Sequence, residues 1–437
     1  MLRPKIQSFS AGPQISRRRF LYLAAGSLVW LSTGARSAFA APYIVGVGKS
    51  ADPYEATRRA VDASGEWPSA QISGKTVIIK PNLVAPMAAD TGATTDPQVI
   101  RALVDLALEA GAADVRIIEN GYNGANFSAC GYDFFNSYDP RVRLVDLLNE
   151  PLVLVAVPGG LTYSALYVPE MLFSDNIVFI SAAKMKTHAH THATLSMKNL
   201  IGLAPFEKYR HPAYEYNLCI AMHLRGISQT IVDLNLIRPV DYAVVDGVVG
   251  MEGNGPGKGS PVRMDMVVAG KNAVAVDRAC LYAASLPQNK VMHLTYAAQK
   301  GIGPTGLQDI TIVGDPFTPK TFKWPSNLIP LIEYPRVFAD VFSPKAGEKA
   351  GFIYKLFSYT CLRRVDIVLT SDESSEETHI RVIRDWGRRP AGYELLSWDG
   401  RDDKRVVVPP GVYCIRVQAK YSALEASAYA SGYITVS

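Results

Sequence analysis

Between residues 184 and 202 the chain reads KMKTHAHTHATLSMKNLIG, which places three lysines and three histidines in a protein with seven histidines in all. Side chains alternate faces along a strand, so His188, His190 and His192 are expected on one side if the segment is extended. Same-face neighbours sit about 6.6 Å apart, close enough for two imidazoles to share one divalent metal ion. Lys184, Lys186 and Lys198, with Lys80 from an earlier segment, suit a different partner. Converging ammonium groups make a pocket for a phosphate or carboxylate, which Asn82 and Asn199 could orient through their amides. Ammonium groups repel a bare cation, so the two readings compete unless an anionic ligand lies between them.

A second stretch, VVDGVVGMEGNGPGKGSP (244–261), is rich in glycine. It departs from the phosphate-loop pattern, because Gly250-x-x-x-x-Gly255 leads to Pro256 and not to Lys-Ser/Thr. It departs from G-x-G-x-x-G as well, because Gly253-x-Gly255-x-x ends at Lys258. A strand and no helix is expected next, which removes the helix N-terminus that dinucleotide sites use. Two readings stay open. One is a plain glycine turn. The other is a loop where a ligand approaches the backbone at Gly253, Asn254 and Gly255, with Asp246 and Glu252 as acid–base groups or metal ligands and Lys184 as a catalytic residue beside them. Nucleophile-elbow, H-E-x-x-H and S-x-x-K signatures are missing.

The elements that must position these residues are legible as periodicity. Apolar runs at 43–48, 75–84, 114–121, 175–184, 241–250 and 264–270 alternate with helix-like stretches such as DPYEATRRAVDASG and DPQVIRALVDLALEAGA. Runs apolar on both faces, separated by helices, predict a mostly parallel sheet covered by helices, an α/β domain over 41–316. Such sheets bind ligands beyond the carboxyl ends of their strands. There the sequence sets Lys80 and Asn82, Glu119 and Asn120, Lys184, and Asp246. Asp277 falls in the first turn of a helix, where a carboxylate suits the helix dipole.

Residues 317–361 are rich in proline and aromatics without clear period and are expected to connect and pack. From 362 to 437 short strands and turns predict a small all-β sandwich. There SWDGRDDKRVVVPPGVYCIRVQA resembles the Ig-like domain of the flagellar hook-cap protein FlgD. The resemblance implies structural roles for Trp398, Asp399, Gly400, Asp402, Pro410, Gly411 and Tyr413, and an adaptor contact with polysaccharide or envelope.

At the other end, Ser16-Arg17-Arg18-Arg19-Phe20-Leu21 matches the twin-arginine export pattern. An apolar stretch from Leu21 to Leu31 and an Ala38-Phe39-Ala40 cleavage motif follow. The stretch is shorter than the roughly 20 residues needed to span a bilayer, so cleavage near Ala40 and a periplasmic or otherwise extracytoplasmic location are expected, with the twin-arginine translocase as a transient partner. The net charge of +5 comes from this segment, where Arg3, Lys5, Arg17, Arg18, Arg19 and Arg36 meet no acidic residue. Nucleic-acid binding therefore has no electrostatic support. Cys130, Cys219, Cys280, Cys361 and Cys414 contain no C-x-x-C pair, so no iron–sulfur cluster is expected. A Cys361–Cys414 disulfide is one arrangement an oxidising compartment permits.

With these blocks assembled, residues 43 to 315 resemble the family known as domain of unknown function 362. VIIKPNLV, GATTDPQVIRALVDLALEAGAADVRIIE, KMKTHAHTHATLSMKNLIG, DGVVGMEGNGPGKGSPV and AVAVDRAC carry the resemblance. It places Lys80, Asn82, Thr95, Lys184, Lys186, His188, Lys198, Asn199, Gly202, Asp246, Glu252, Gly253, Gly255, Pro256, Gly257 and Asp277 on motif positions, and leaves His190 and His192 particular to this chain. The expectation is an exported enzyme acting on a small anionic substrate, metal-assisted or not. The alternative is a non-catalytic binding or adaptor protein.

Overall fold

Aspartate followed by proline starts two helices by the same physics. Asp52 and Asp96 keep extended backbone while their carboxylates accept from the N–H of Tyr54 (2.9 Å) and Gln98 (2.8 Å). Proline follows at the first helical position, where no N–H is needed. These helices are α1 (Pro53–Ser64) and α2 (Pro97–Glu109). Further along come α3 (Ser196–Asn199), α4 (Ile227–Ile237), α5 (Ala273–Ala283) and α6 (Met292–Gln299). The computed structural model describes residues 41–120, 126–209, 222–223, 225–326, 328, 330, 332–356, 361–370, 377–421 and 428–437. The expected export segment and Cys219 lie outside them.

The α/β part contains β1 (Tyr43–Lys49), β2 (Thr76–Lys80), β3 (Asp114–Glu119), β4 (Val142–Asp146), β5 (Leu152–Ala156), β6 (Ala165–Pro169), β7 (Ile177–His188), β8 (His192–Thr194), β9 (Tyr242–Glu252), β10 (Ser260–Arg263), β11 (Met266–Gly270) and β12 (Ile310–Gly314). The large sheet has the order β12-β1-β11-β9-β7-β2-β3-β4, with β8 added to β7 and β10 to β9. Along that path every strand runs the same way except β11, which is antiparallel to both neighbours. The sheet is thus mixed, with parallel pairing prevailing, as the alternation of apolar runs and helices led us to expect.

Both faces are covered. Val178, Ile180 and Ala182 of β7 join the core beneath α1 and α2. Phe179, Ala183 and Met185 join the core beneath α4, α5 and α6. Parallel strands lie between two helical layers in this way because neither face can meet water. One consequence governs the site. The carboxyl ends of β9, β7, β2 and β3 stand side by side, and they carry Asp246–Glu252, Lys184–His188, Lys80 and Glu119.

The rest of the chain is all-β: β13 (Ile332–Val337), β14 (Val341–Phe342), β15 (Ala350–Leu356), β16 (Cys361–Thr370), β17 (Glu377–Arg389), β18 (Gly392–Trp398), β19 (Gly411–Lys420) and β20 (Ala428–Val436). The sheets β13-β15-β18 and β14-β20-β19-β16-β17 share one core. Strands β13 to β15 come from the stretch we expected to be an aperiodic connector. Pro335 interrupts one of them and Gly351 another, which hides the alternation. Residues 43–437 form one compact unit. No helix among the described residues is long and apolar enough to cross a membrane.

Trp398 is buried against Phe342 and Tyr413, and its indole N–H donates to the Arg401 carbonyl (2.9 Å). Asp402 accepts from the N–H of Val406 (2.8 Å), and Tyr413 donates to the Pro409 carbonyl (2.8 Å). These contacts are turn chemistry and an aromatic plug. Cys361 and Cys414 are both free. Cys414 faces Val368, seven residues along β16 from Cys361, a separation of about 23 Å at the rise of a strand.

Candidate functional site

Two of the lysines expected to converge on a ligand are held by carboxylates instead. Lys80 ends the buried run of β2, and its Nζ lies 2.7 Å from Glu119 Oε1 at the end of β3. Glu119 also accepts from the N–H of Leu83 (2.8 Å) and Asn120 (2.9 Å). Gly202 closes over this pair: a Cβ there would lie 2.7 Å from Lys80 Nζ. Lys184 and Asp246 face each other across the β7–β9 ladder at 2.7 Å, with side chains 1% and 0% exposed. Asp246 accepts further from the N–H of Asp96 (2.9 Å), tying it to the start of α2, and from that of Val248 (3.0 Å).

Lys186 differs. It lies on the same face of β7 as Lys184 and is 1% exposed, but its partners are neutral: Asn82 Oδ1 at 2.8 Å and the Ala93 carbonyl at 2.5 Å. An ammonium has three protons to donate, so the third finds no acceptor among the described residues. Burial, then the charges of Lys198 and Lys184, hold its pKa well below the ordinary lysine value. The network continues from Asn82 Nδ2 to Asn199 Oδ1 (3.2 Å). Asn199 Nδ2 in turn donates to the Lys80 carbonyl (2.9 Å) and to Ser181 Oγ (3.1 Å). Lys80, Asn82, Lys186 and Asn199 are therefore brought together.

The three histidines do not line one face of a single strand. His188 Nδ1 accepts from the N–H of His190 (3.0 Å) and Thr191 (3.4 Å), which turns the chain, and β8 returns antiparallel from His192 at φ 68°. The imidazole itself breaks the extended segment we expected. His188 now lies across from His192, and Lys186 across from Thr194. His190 sits at the tip, its ring centroid 5.7 Å from that of His188 and 5.3 Å from that of His223. His192 packs edge-on to Trp324 at 5.6 Å. Burial lowers His188 well below the ordinary value and takes His190 and His192 to about 4, helped by Lys198 for the first two and by Lys290 for His192. These rings are neutral at pH 7. Among the described residues no three His, Cys, Asp or Glu side chains gather into a group that could hold a metal ion.

Directly opposite residues of an antiparallel pair share a face with Cβ atoms about 5 Å apart. Lys186, Thr194, His188 and His192 therefore form one surface of the hairpin. On it, the hydroxyl of Thr194 and Nδ1 of His192 are buried without a hydrogen-bond partner. Buried polar atoms seldom stay unpaired, and such a pair is a cost that a ligand can relieve.

The glycine loop is packed against β7 at Gly255. A Cβ at Gly255 would fall 1.9 Å from the Thr187 carbonyl, and Thr187 Oγ1 donates to the Gly253 carbonyl (2.7 Å). Its outer side is taken by residues 323–326. Glu252 accepts from the N–H of Lys323 (2.9 Å) and lies 3.3 Å from its Nζ, while Asn254 accepts from the N–H of Ser326 (2.7 Å). Lys184, Asp246 and Glu252, expected to act together, have different partners: the first two are a sealed ion pair, and Glu252, its side chain 13% exposed, is engaged by Lys323.

Sequence reasoning overlooked Thr194, Ala93, Ser181, His223 and Trp324 as contributors. Ala93 contributes only a carbonyl, and Ser181 sits inside an apolar strand, so neither leaves a trace in the sequence. Asp277 turns out to be a positioning group. Fully buried, it accepts from the N–H of Ser196 (2.7 Å) and Met197 (3.0 Å), fixing the start of the segment that carries Lys198 and Asn199. Burial pushes its carboxyl up to about 7.

A family model described as "Domain of unknown function (DUF362)" matches residues 77–282, a span that includes Lys80, Asn82, Lys186, Thr194 and Asn199. The thylakoid-associated protein sll1697 of Synechocystis sp. is 24% identical over 278 residues, covering 62% of this chain and 82% of the relative. Among solved structures, the CARDB domain of a Pyrococcus furiosus protein, bound to two metal ions, shares 12% identity at a TM-score of 0.15, covering 25% of this chain and 94% of that one. Protein arginine methyltransferase 10 of Arabidopsis thaliana shares 8% identity at a TM-score of 0.18, over 88% and 93%. Likenesses at these scores carry no statement about fold.

Proposed function

We propose that the protein captures a small oxyanion, a carboxylate or phosphate, on the Lys186–Thr194 face at the carboxyl edge of its large sheet. The observation behind this reading is the unfinished hydrogen bonding there. Lys186 has a proton without an acceptor, and Thr194 has a buried hydroxyl without a partner directly opposite. An anion between them would accept from both and supply the counter-charge that Lys186 lacks. Burial disfavours the ammonium form of Lys186, and an anion bound beside it would favour that form again.

Calorimetric titration with inorganic phosphate and with acetate, repeated in buffers of different ionisation enthalpy, tests this. Binding is expected, and Lys186→Met and Thr194→Val should each remove it. Binding of equal strength in both variants would refute the assignment. An enzyme acting on the same anion is the second reading, and the low pKa of Lys186 favours it, since an uncharged amine can serve as a base on a bound substrate. Against it, Glu119, Asp246 and Glu252 are all engaged by lysines or backbone N–H groups. Turnover lost in Lys186→Arg, with binding kept, would decide for the enzyme.

We also infer export by the twin-arginine route and an Ig-like adaptor role for the C-terminal sheets. The export motif and cleavage site support the first, and the turn chemistry around Trp398 supports the second. The thylakoid association in the relative's name fits a protein that works outside the cytoplasm. N-terminal sequencing of the protein from cells with and without a working twin-arginine translocase tests the export route. A new N-terminus near Ala41 is expected only where the translocase works.

A further inference from the structure

The outer face of the three-stranded sheet β13-β15-β18 carries residues that its own fold does not cover. Leu395 is 64% exposed, Tyr393 60%, and Phe338, just beyond β13, 65%. Ile353 lies directly across from Leu395, and Lys355 across from Tyr393, so the apolar side chains form a continuous stripe on one face. A shallow groove of about 540 Å³ runs along it, lined by Phe338, Leu395 and Arg384 among others. Such a stripe on a secreted-type domain marks a contact surface more often than chance exposure does.

Charge identifies the kind of contact. Lys355 Nζ stands 5.0 Å from the centre of the Tyr393 ring. Arg384 is half exposed, and Arg389 is exposed at the end of the same strand, β17. The carboxylates at this rim already have cations: Glu333, directly across from Lys355, has Arg336 at 3.3 Å, and Glu394 faces buried Arg363, with Arg384 at 3.9 Å. The stripe is therefore edged by a surplus of positive charge. Apolar tips that include an aromatic ring, ringed by lysine and arginine, are the composition that seats a protein in the interface of an anionic bilayer.

We propose that this face docks on an anionic lipid surface, with Phe338, Tyr393 and Leu395 entering the headgroup region and Lys355, Arg384 and Arg389 meeting lipid phosphates. The surface is separate from the oxyanion site and does not depend on it.

Co-sedimentation of the chain from Ala41 onward, which holds the whole compact unit, with phosphatidylcholine vesicles with and without phosphatidylglycerol tests the proposal. Binding is expected only with phosphatidylglycerol and should weaken as salt rises. Each of Lys355→Ala and Arg384→Ala should reduce it about fivefold. Phe338→Ser combined with Leu395→Ser should abolish it while the thermal melt stays unchanged. The proposal fails if the protein ignores lipid charge, or if the double serine variant still sediments. It also fails if the same substitutions instead break a dimer in light scattering or abolish binding to soluble polygalacturonate in the absence of vesicles.

Discussion

Buried cations occur in both parts of the molecule, and they are treated differently. In the C-terminal sheets, Arg363 faces Glu394 and Arg416 faces Glu377, so each buried guanidinium has a carboxylate. At the edge of the large sheet, Lys80 and Lys184 follow the same rule with Glu119 and Asp246. Lys186, one alternation along β7 from Lys184, breaks it by resting on an amide and a backbone carbonyl. Arg278 is also buried on neutral oxygens, those of Pro304, Gln288 and Leu294, but there each guanidinium nitrogen has an acceptor, whereas the Lys186 ammonium keeps a proton without one. The contrast teaches that the number of lysines at the edge says little, and that the one without a counter-charge is where a ligand belongs.

The largest expected effect tests whether the paired lysines are structural. Asp246→Ala leaves Lys184 buried without a partner and should cost about 3–5 kcal/mol in urea unfolding. Glu377→Ala, which strands Arg416, should fall in the same range. The combined change Lys184→Met with Asp246→Leu should recover most of the loss. If Asp246→Ala instead kept full stability and lost only anion binding, the sealed pair would belong to the site and the contrast would fail.

Next comes Lys186 itself. Replacing it by methionine removes a buried charge that nothing neutralises, so stability should stay within about 1 kcal/mol of the parent or rise. A loss as large as that of Asp246→Ala would show that Lys186 is another structural cation. The same urea experiment, run with and without phosphate, sharpens the point: the parent should gain stability from phosphate and Lys186→Met should not.

Acid should act first on the α/β part, because the strongly shifted buried groups lie there. His188, His190, His192 and His293 all have lowered folded values, about 4 for His190 and His192 and about 3 for His293. Between those values and the ordinary 6.5 the unfolded chain binds protons that the folded chain does not, so these groups make stability rise with pH. Asp277 (about 7) and Asp233 (about 6) act in the opposite sense, since the folded chain keeps their protons above the ordinary carboxylate range. The imidazoles outnumber the carboxyls, so stability should increase from pH 4 to 6.5. Asp277→Asn removes one opposing group and should steepen that rise, measured as urea midpoint against pH. An unchanged curve would mean that Asp277 is ionised in the fold.

What the sequence made legible follows from what short-range patterns encode. Alternating apolar runs and Asp-Pro helix starts give the α/β layers directly, and strand ends rich in Lys, Asn and Glu mark the edge that carries the network. Pairing is long-range and leaves no such mark. Nothing in KMKTHAHTH tells Lys184, which meets Asp246 across a ladder, from Lys186, which meets Asn82 and Ala93. The histidines looked like one strand face because the pattern H-x-H-x-H has a period of two. Only the backbone N–H groups of His190 and Thr191, captured by His188, convert it into a hairpin. The strands at 332–356 stayed hidden because proline and glycine interrupt their alternation.

The smallest effect concerns Glu252, which the sequence grouped with Lys184 and Asp246. Its carboxylate accepts from the Lys323 backbone, and its ionic partner, the Lys323 ammonium, is 81% exposed. An ion pair so open to water contributes at most about 1 kcal/mol. Glu252→Gln keeps an acceptor for the Lys323 N–H and should shift the urea midpoint barely at all, with phosphate binding unchanged. Should Glu252→Gln abolish binding or turnover, the glycine loop would have to open away from residues 323–326 when ligand arrives. The edge of the sheet would then be only half of the site.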